Sequence, residues 1–109
     1  MVMASNQQAA DKKASRLTQT AEGFELAGSI AFETVNTLWQ QSLRLFEKVE
    51  HSFCVDLSKV TELDSAGLGL LVAWKKWAKT HDLVIAYTKP PNRLLALAEV
   101  NRVSSILEL

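Results

Sequence analysis

The stretch VTELDSAGLGLL, residues 60–71, marks the junction between a strand and a helix. The apolar run at residues 53–57 precedes it and predicts a buried strand. The apolar spacing after it predicts a helix over residues 65–80. The junction places an acid, Asp64, and a hydroxyl, Ser65, at the positive end of that helix dipole. Such a position suits a catalytic elbow, an anion cradle, a phosphorylation switch or a docking point.

The N-terminal half of the chain predicts a hairpin followed by a helix. Residues 16–20 and 24–27 alternate in polarity around a short turn that contains Gly23, which is typical of a β-hairpin. The next apolar residues fall on one face of an α-helix. That face comprises Val35, Leu38, Trp39, Ser42, Phe46 and Val49. The run at residues 53–57 lacks polar alternation at its start and predicts a strand that is covered on both sides.

The C-terminal part adds a strand over residues 83–87 and a helix over residues 91–100. Residues 105–109 are predicted to form a last short strand or a frayed end. The element order is therefore β-β-α-β-α-β-α, with room for a final strand. Alternating strands and helices predict an α/β fold with a mixed β-sheet of about four to five strands and helices packed on it.

The composition predicts a globular protein with no overall charge that would attract nucleic acid or an anionic membrane. Of its 109 residues, 48% are hydrophobic and 22% are charged, and 12 Lys and Arg balance 12 Asp and Glu. Residues 1–15 are polar and are predicted to be a disordered tail, and residues 16–109 one domain. No signal peptide or transmembrane run is visible. Together with a lone cysteine, Cys54, this indicates a cytoplasmic protein with no direct membrane insertion.

The residues required for catalysis at Ser65 are missing. A nucleophile elbow would need glycine where Leu63 stands. His81 lies about 16 residues farther along the same helix, roughly 24 Å away at ~1.5 Å per residue. His51 has no feature that brings it to Ser65. The sequence has no metal-ligand cluster or phosphate-binding motif, so neither catalytic activity nor a bound cofactor is predicted.

Two other ligand classes are also disfavoured. Lys75, Lys76 and Lys79 cluster on the predicted helix, but with zero net charge a solvated helix face explains them better than nucleic-acid binding. Small-ligand or nucleotide binding at the helix start, over residues 67–69, lacks a second anion-binding element. The two glycines there also suit tight packing of the helix against the strand.

A helical wheel divides the predicted helix into two faces. The apolar face comprises Gly67, Leu70, Leu71, Trp74, Trp77 and Ala78. The opposite face comprises Ser65, Leu68, Val72, Lys75, Lys76 and Lys79. Asp64 or Ser65 is predicted to cap the helix. Leu68 and Val72 lie on the wet side beside Ser65, where a small apolar patch with a polar rim indicates a protein-docking surface. Alternatively, a loop or the N-terminal segment covers these two residues.

The junction resembles the signature of STAS domains, which occur in sulfate transporters and anti-sigma-factor antagonists. The resemblance rests on Leu57-Ser58, Val60 and the run at residues 63–71, and it covers about residues 16–109. In the antagonists, two hydroxyl residues stand between the aspartate and the glycine, and a kinase phosphorylates the second. Ala66 occupies that second position here. A phosphorylation switch would therefore have to use Ser65.

The chain more closely resembles the STAS subunits of the Mla (maintenance of lipid asymmetry) ABC transporters of Gram-negative bacteria. The motif Asp64-Ser65-Ala66-Gly67 and the pair Leu38-Trp39 carry this resemblance. It implies a non-enzymatic subunit that binds the ATPase of an inner-membrane phospholipid transporter, within a complex containing a permease. It also implies that Ser65 lies at the ATPase interface. The wheel adds Leu68, Val72, Lys75 and Lys76 as predicted partner-binding residues.

Overall fold

The structure is a computed structural model that describes residues 15–109. Four strands form one mixed sheet in the order β1-β2-β3-β4. They are β1 Arg16–Thr20, β2 Gly23–Ile30, β3 Phe53–Leu63 and β4 Ile85–Thr88. Strand β1 is antiparallel to β2, and β2, β3 and β4 are parallel. The parallel pairs need helical connections, and this explains the alternation of strands and helices along the chain.

Four helices accompany the sheet in the described part of the chain. They are α1 Val35–Phe46, α2 Ser65–Thr80, α3 Asn92–Val100 and α4 Ser104–Leu107. Helix α2 is the central helix: it contacts α1, α3 and α4, and it packs on β2, β3 and β4. The predicted α/β fold with a mixed sheet is therefore confirmed.

The core lies on one face of the sheet. Every second residue of β2 is buried from Phe24 to Ile30, and Phe53, Val55 and Leu57 are the buried residues of β3. The residues between them, including Cys54 and Asp56, are only half-buried. The prediction of a strand covered on both sides is therefore wrong. The first three residues of β3 show no polar alternation because Cys54 occupies the position that faces away from the core.

Aromatic side chains join α1 and α2 over the start of β3. Phe46 on α1 contacts Phe53 on β3 and Trp74 on α2, with ring centroids 5.0 and 5.5 Å apart. Beside them, the indole N–H of Trp74 donates to the Ser42 hydroxyl at 2.9 Å, and that hydroxyl donates to a backbone carbonyl of α1. Ser42 is fully buried. It occupies the apolar face of α1 because it satisfies an otherwise unpaired buried donor.

Most predicted elements are confirmed, and the exceptions are the end of β3 and the C-terminal segment. The hairpin and the three longer helices lie where the periodicity placed them. Strand β3 extends to Leu63, six residues beyond the predicted end, because its polar second half still pairs with β2. The C-terminal segment forms α4, so the prediction of a strand or frayed end is wrong. The predicted disordered tail lies outside the described residues, apart from residue 15.

Candidate functional site

Asp64 connects the start of α2 to the loop between β2 and α1. One carboxylate oxygen, Oδ1, accepts the backbone N–H of Gly67 at 2.9 Å and caps the helix. The other, Oδ2, accepts the backbone N–H of Phe32 at 3.1 Å. The backbone N–H of Asp64 itself donates to Ile30 O at 3.3 Å. A single side chain therefore fixes the relative position of two surface segments, and the predicted cap is confirmed.

The hydrogen bonds to Asp64 also favour its charged form. The Gly67 N–H lowers the pKa of Asp64 below its ordinary value, and the N–H groups of Phe32 and Ala66 act in the same direction. The carboxylate thus occupies the position that an external anion would need at this helix end. This geometry disfavours the alternative of nucleotide or small-anion binding at residues 67–69.

The two glycines of the motif have different roles. A Cβ added at Gly67 would lie 2.1 Å from Ile30 O, so only glycine permits the observed approach of α2 to the end of β2. A Cβ added at Gly69 would meet no atom within 4 Å. Tight packing against the sheet therefore explains Gly67 and does not explain Gly69. Gly69 lies on the exposed side of the helix instead.

The exposed side of α2 begins at Ser65, the first residue of the helix. Ser65, Gly69 and Lys76 are exposed, and Val72 between them is half-buried. At ~100° per residue these four positions form one stripe along the helix. Near its N-terminal end the stripe has only small side chains, so another protein could approach the helix backbone closely there.

The sequence analysis did not identify Phe32, whose backbone lies next to the start of α2. Its side chain is 77% exposed, although phenylalanine is usually buried. Its backbone N–H is the group held by Asp64, so the exposed ring lies on the segment tied to the start of α2. No local pattern around residue 32 predicts this contact, which joins residues 32 positions apart. The only signal in the sequence was a large apolar residue between a predicted strand and a predicted helix.

The helical wheel predicts that Leu68 lies on the wet side, and this prediction is wrong. The Leu68 side chain is only 4% exposed and belongs to the hydrophobic core. The reason is that α2 has helices on its flanks as well as a sheet beneath it, so its buried arc is wider than one apolar stripe. Val72 is half-buried against the same core.

The lysines of α2 differ in their surroundings. The Lys75 ammonium donates to Ile85 O at 2.5 Å and to the Glu108 carboxylate at 2.7 Å, and its side chain is only 11% exposed. Lys75 therefore joins α2 to β4 and to the C-terminal segment, so it is not the free surface cation that the wheel predicts. Lys76 is exposed, as predicted.

The two histidines do not approach the start of α2. His81 follows the last residue of α2, where its ring stacks on Trp77 at a centroid distance of 4.2 Å. His51 lies in the segment before β3, whereas Ser65 follows the opposite end of that strand. Within residues 15–109 no group of three or more His, Cys, Asp or Glu side chains could hold a metal ion. Across the same range, no helix is both long and apolar enough to cross a bilayer.

The four-stranded mixed sheet, the capped junction after β3 and the central helix α2 define the chain as an α/β protein with the STAS fold. A match to a family model agrees with this fold. The chain belongs to the family described as "Mlab, STAS domain", whose model matches residues 14–108. A search of curated proteins found no match to the chain.

Proposed function

We propose that this protein is a non-enzymatic accessory subunit that binds the ATPase of a phospholipid-transporting ABC complex. Family membership supports the transporter context, because residues 14–108 match the Mla-type STAS family. Through that ATPase the chain would be held at the inner membrane, beside the permease. Its role would be to support assembly and activity of the ATPase, as the resemblance of the Asp64-Ser65-Ala66-Gly67 motif implies.

The observation that carries the docking proposal is the exposed N-terminal end of α2. We define the docking surface as Phe32, Ser65, Gly69, Val72 and Lys76. Ser65 and Gly69 have small or no side chains, and Phe32 has a large exposed ring. An aromatic anchor beside small residues is typical of interface hot spots, because the ring can fill a partner pocket while the backbones approach. Leu68 is buried in the core and Lys75 is paired with Glu108, so neither is part of this surface.

The proposed mechanism is stabilisation of the bound ATPase by mass action. A partner that binds only the assembled form of the ATPase increases the population of that form. Asp64 pre-organises the surface, because it holds the Phe32 segment and the start of α2 together before binding. Pre-organisation reduces the entropy lost on association.

Co-purification with the cognate ATPase tests this proposal. Ser65→Arg places a long cation at the centre of the docking surface, and we expect it to weaken the complex at least ~100-fold, about 2.7 kcal/mol. Gln41→Arg is the matched control, because it adds the same side chain to an exposed position of α1. Equal binding by both variants, or full ATPase activity without this chain, would contradict the proposal.

A second variant pair tests the aromatic anchor. Phe32→Ala removes an apolar side chain that is 77% exposed, and Val100→Ala removes one that is 78% exposed on α3. Neither should change the free energy of unfolding much. We expect Phe32→Ala alone to weaken ATPase binding, by roughly 10- to 100-fold, as hot-spot residues do. Calorimetric titration of the ATPase with each variant distinguishes the two positions.

The exposed hydroxyl of Ser65 supports one alternative, an anti-sigma-factor antagonist that works as a phosphorylation switch. A phosphate on Ser65 would add ~1.5–2 negative charges at the start of α2. Mass spectrometry after incubation with a cognate serine kinase distinguishes the two functions. An unmodified Ser65, together with ATPase binding, excludes the switch.

A further inference from the structure

A second candidate surface lies at the other end of α2. A groove of about 560 Å³ runs between the C-terminal half of α2, the start of β4 and helix α4. Its apolar lining residues are Leu83, Val84, Ile85 and Ile106. Val84 is 58% exposed and Ile106 is 51% exposed. Two aliphatic side chains of the same groove are therefore left largely in solvent, where burial would be favourable.

The rim of this groove is positively charged. Lys76 and Lys79 line it, and neither forms an ion pair with another residue in the described part of the chain. Lys75 also lines it, but Glu108 neutralises that ammonium. The groove therefore combines an apolar lining with two uncompensated cations along the α2 side.

The shape of the groove favours a protein helix as its occupant. A small molecule normally has most of its surface enclosed, whereas here the Val84 and Ile106 side chains are more than half exposed. An anionic membrane is normally bound by about four to eight basic residues, and this rim offers two beside an exposed acid, Glu108. A groove between helices that has an apolar lining and a charged rim can accept an amphipathic helix.

We propose that this groove binds an acidic amphipathic helix of a partner protein. The apolar face of that helix would cover Val84 and Ile106, and its flanking carboxylates would pair with Lys76 and Lys79. Charge complementarity of this kind fixes the orientation of the partner and accelerates association. The groove borders the docking surface at Lys76, which belongs to both. Lys79, Val84 and Ile106 line only the groove.

A synthetic peptide provides a direct test with the full chain. The probe is a fluorescein-labelled peptide of about 18 residues, long enough to form a helix in water, with leucines on one face and glutamates on its flanks. The control peptide carries lysine in place of every glutamate. We expect saturable binding of the acidic peptide in fluorescence anisotropy, weakening as salt is raised, and no binding of the basic one.

Two variants and their matched controls locate the site. Lys79→Glu should weaken acidic-peptide binding about 10-fold or more. Lys48→Glu, at an exposed position after α1, should not. Ile106→Asp should also weaken binding, whereas Val100→Asp, at another exposed apolar position, should leave it unchanged. Should Ile106→Asp lose its native circular dichroism spectrum, the lysine pair of variants decides alone.

The outcomes separate this proposal from its competitors and from ATPase docking. Equal binding of acidic and basic peptides, or no saturable binding, overturns it. A dimer that Ile106→Asp dissociates in analytical ultracentrifugation assigns the groove to a second copy instead. Competition by phosphatidylglycerol vesicles assigns it to a membrane. The Lys79→Glu and Ile106→Asp variants should still co-purify with the ATPase, because they leave Ser65 unchanged. Peptide binding therefore tests the groove, and co-purification tests the docking surface.

Discussion

The two ends of α2 are held to the rest of the molecule in different ways. At the N-terminal end, the absence of a side chain at Gly67 lets the helix backbone approach Ile30, and the Asp64 carboxylate caps the helix. At the C-terminal end, a long cation, Lys75, reaches across to Ile85 and Glu108. One end is fixed by close backbone contact, and the other by extended side chains.

The two ends also present different surfaces. The N-terminal end exposes the small residues Ser65 and Gly69, so another protein can approach the helix backbone there. Long side chains at the other end leave a groove between helices, with cations on its rim. The first surface selects a partner by shape, and the second by charge.

The largest expected effect comes from breaking the backbone contact. Gly67→Ala would place a Cβ 2.1 Å from Ile30 O, so α2 must move away from the sheet. We expect the free energy of unfolding to fall by ~1–3 kcal/mol, the usual range for overpacking a tight contact. Urea denaturation monitored by circular dichroism measures it. A loss below ~0.5 kcal/mol would mean that the helix start shifts freely.

Removing the cap should have an intermediate effect with a pH signature. Asp64→Asn weakens the hydrogen bonds to Gly67 and Phe32 and should lower the free energy of unfolding by ~1 kcal/mol at neutral pH. The pKa of Asp64 is lowered in the folded protein, so the unfolded chain binds more protons near and below pH ~4. Folding stability therefore falls as pH falls through that range.

The same pH series distinguishes the cap from other carboxylates. Asp56 and Glu108 also have lowered pKa values in the folded protein, so part of the acid sensitivity should remain in Asp64→Asn. We expect the difference in stability between wild type and Asp64→Asn to shrink as the medium is acidified from pH 7. A difference independent of pH would show that the charge of Asp64 contributes nothing.

The smallest effect, of opposite sign, is expected at the outer glycine. Gly69→Ala adds a Cβ that meets no atom within 4 Å, and alanine favours a helix over glycine. The free energy of unfolding should rise by ~0.5–1 kcal/mol in the urea experiment used for Gly67→Ala. If a partner packs on this stripe, the same variant should weaken ATPase binding while stabilising the fold. If Gly69→Ala stabilises the fold and leaves ATPase binding unchanged, the ATPase does not bind at this stripe.

Much of the fold could be predicted from the sequence because its signals are local. The alternation at residues 16–20 and the helical spacing after Asp64 each involve neighbours a few positions apart. The cap formed by Asp64 is equally local, since it spans three residues. The end of β3 and helix α4 were less predictable, because pairing with β2 and packing against α2 decide them.

Within the candidate site, the order of the junction follows from local sequence alone: a strand, an acid, a small hydroxyl residue, and a glycine that permits close packing. Tertiary structure alone decided three other features. It buried Leu68, exposed Phe32 beside the start of α2, and paired Lys75 with Glu108. Each depends on a neighbouring element far away in the chain, whereas a helical wheel records only the angular position of a residue on its own helix. A residue at the edge of the apolar stripe is therefore buried or exposed according to what packs beside the helix.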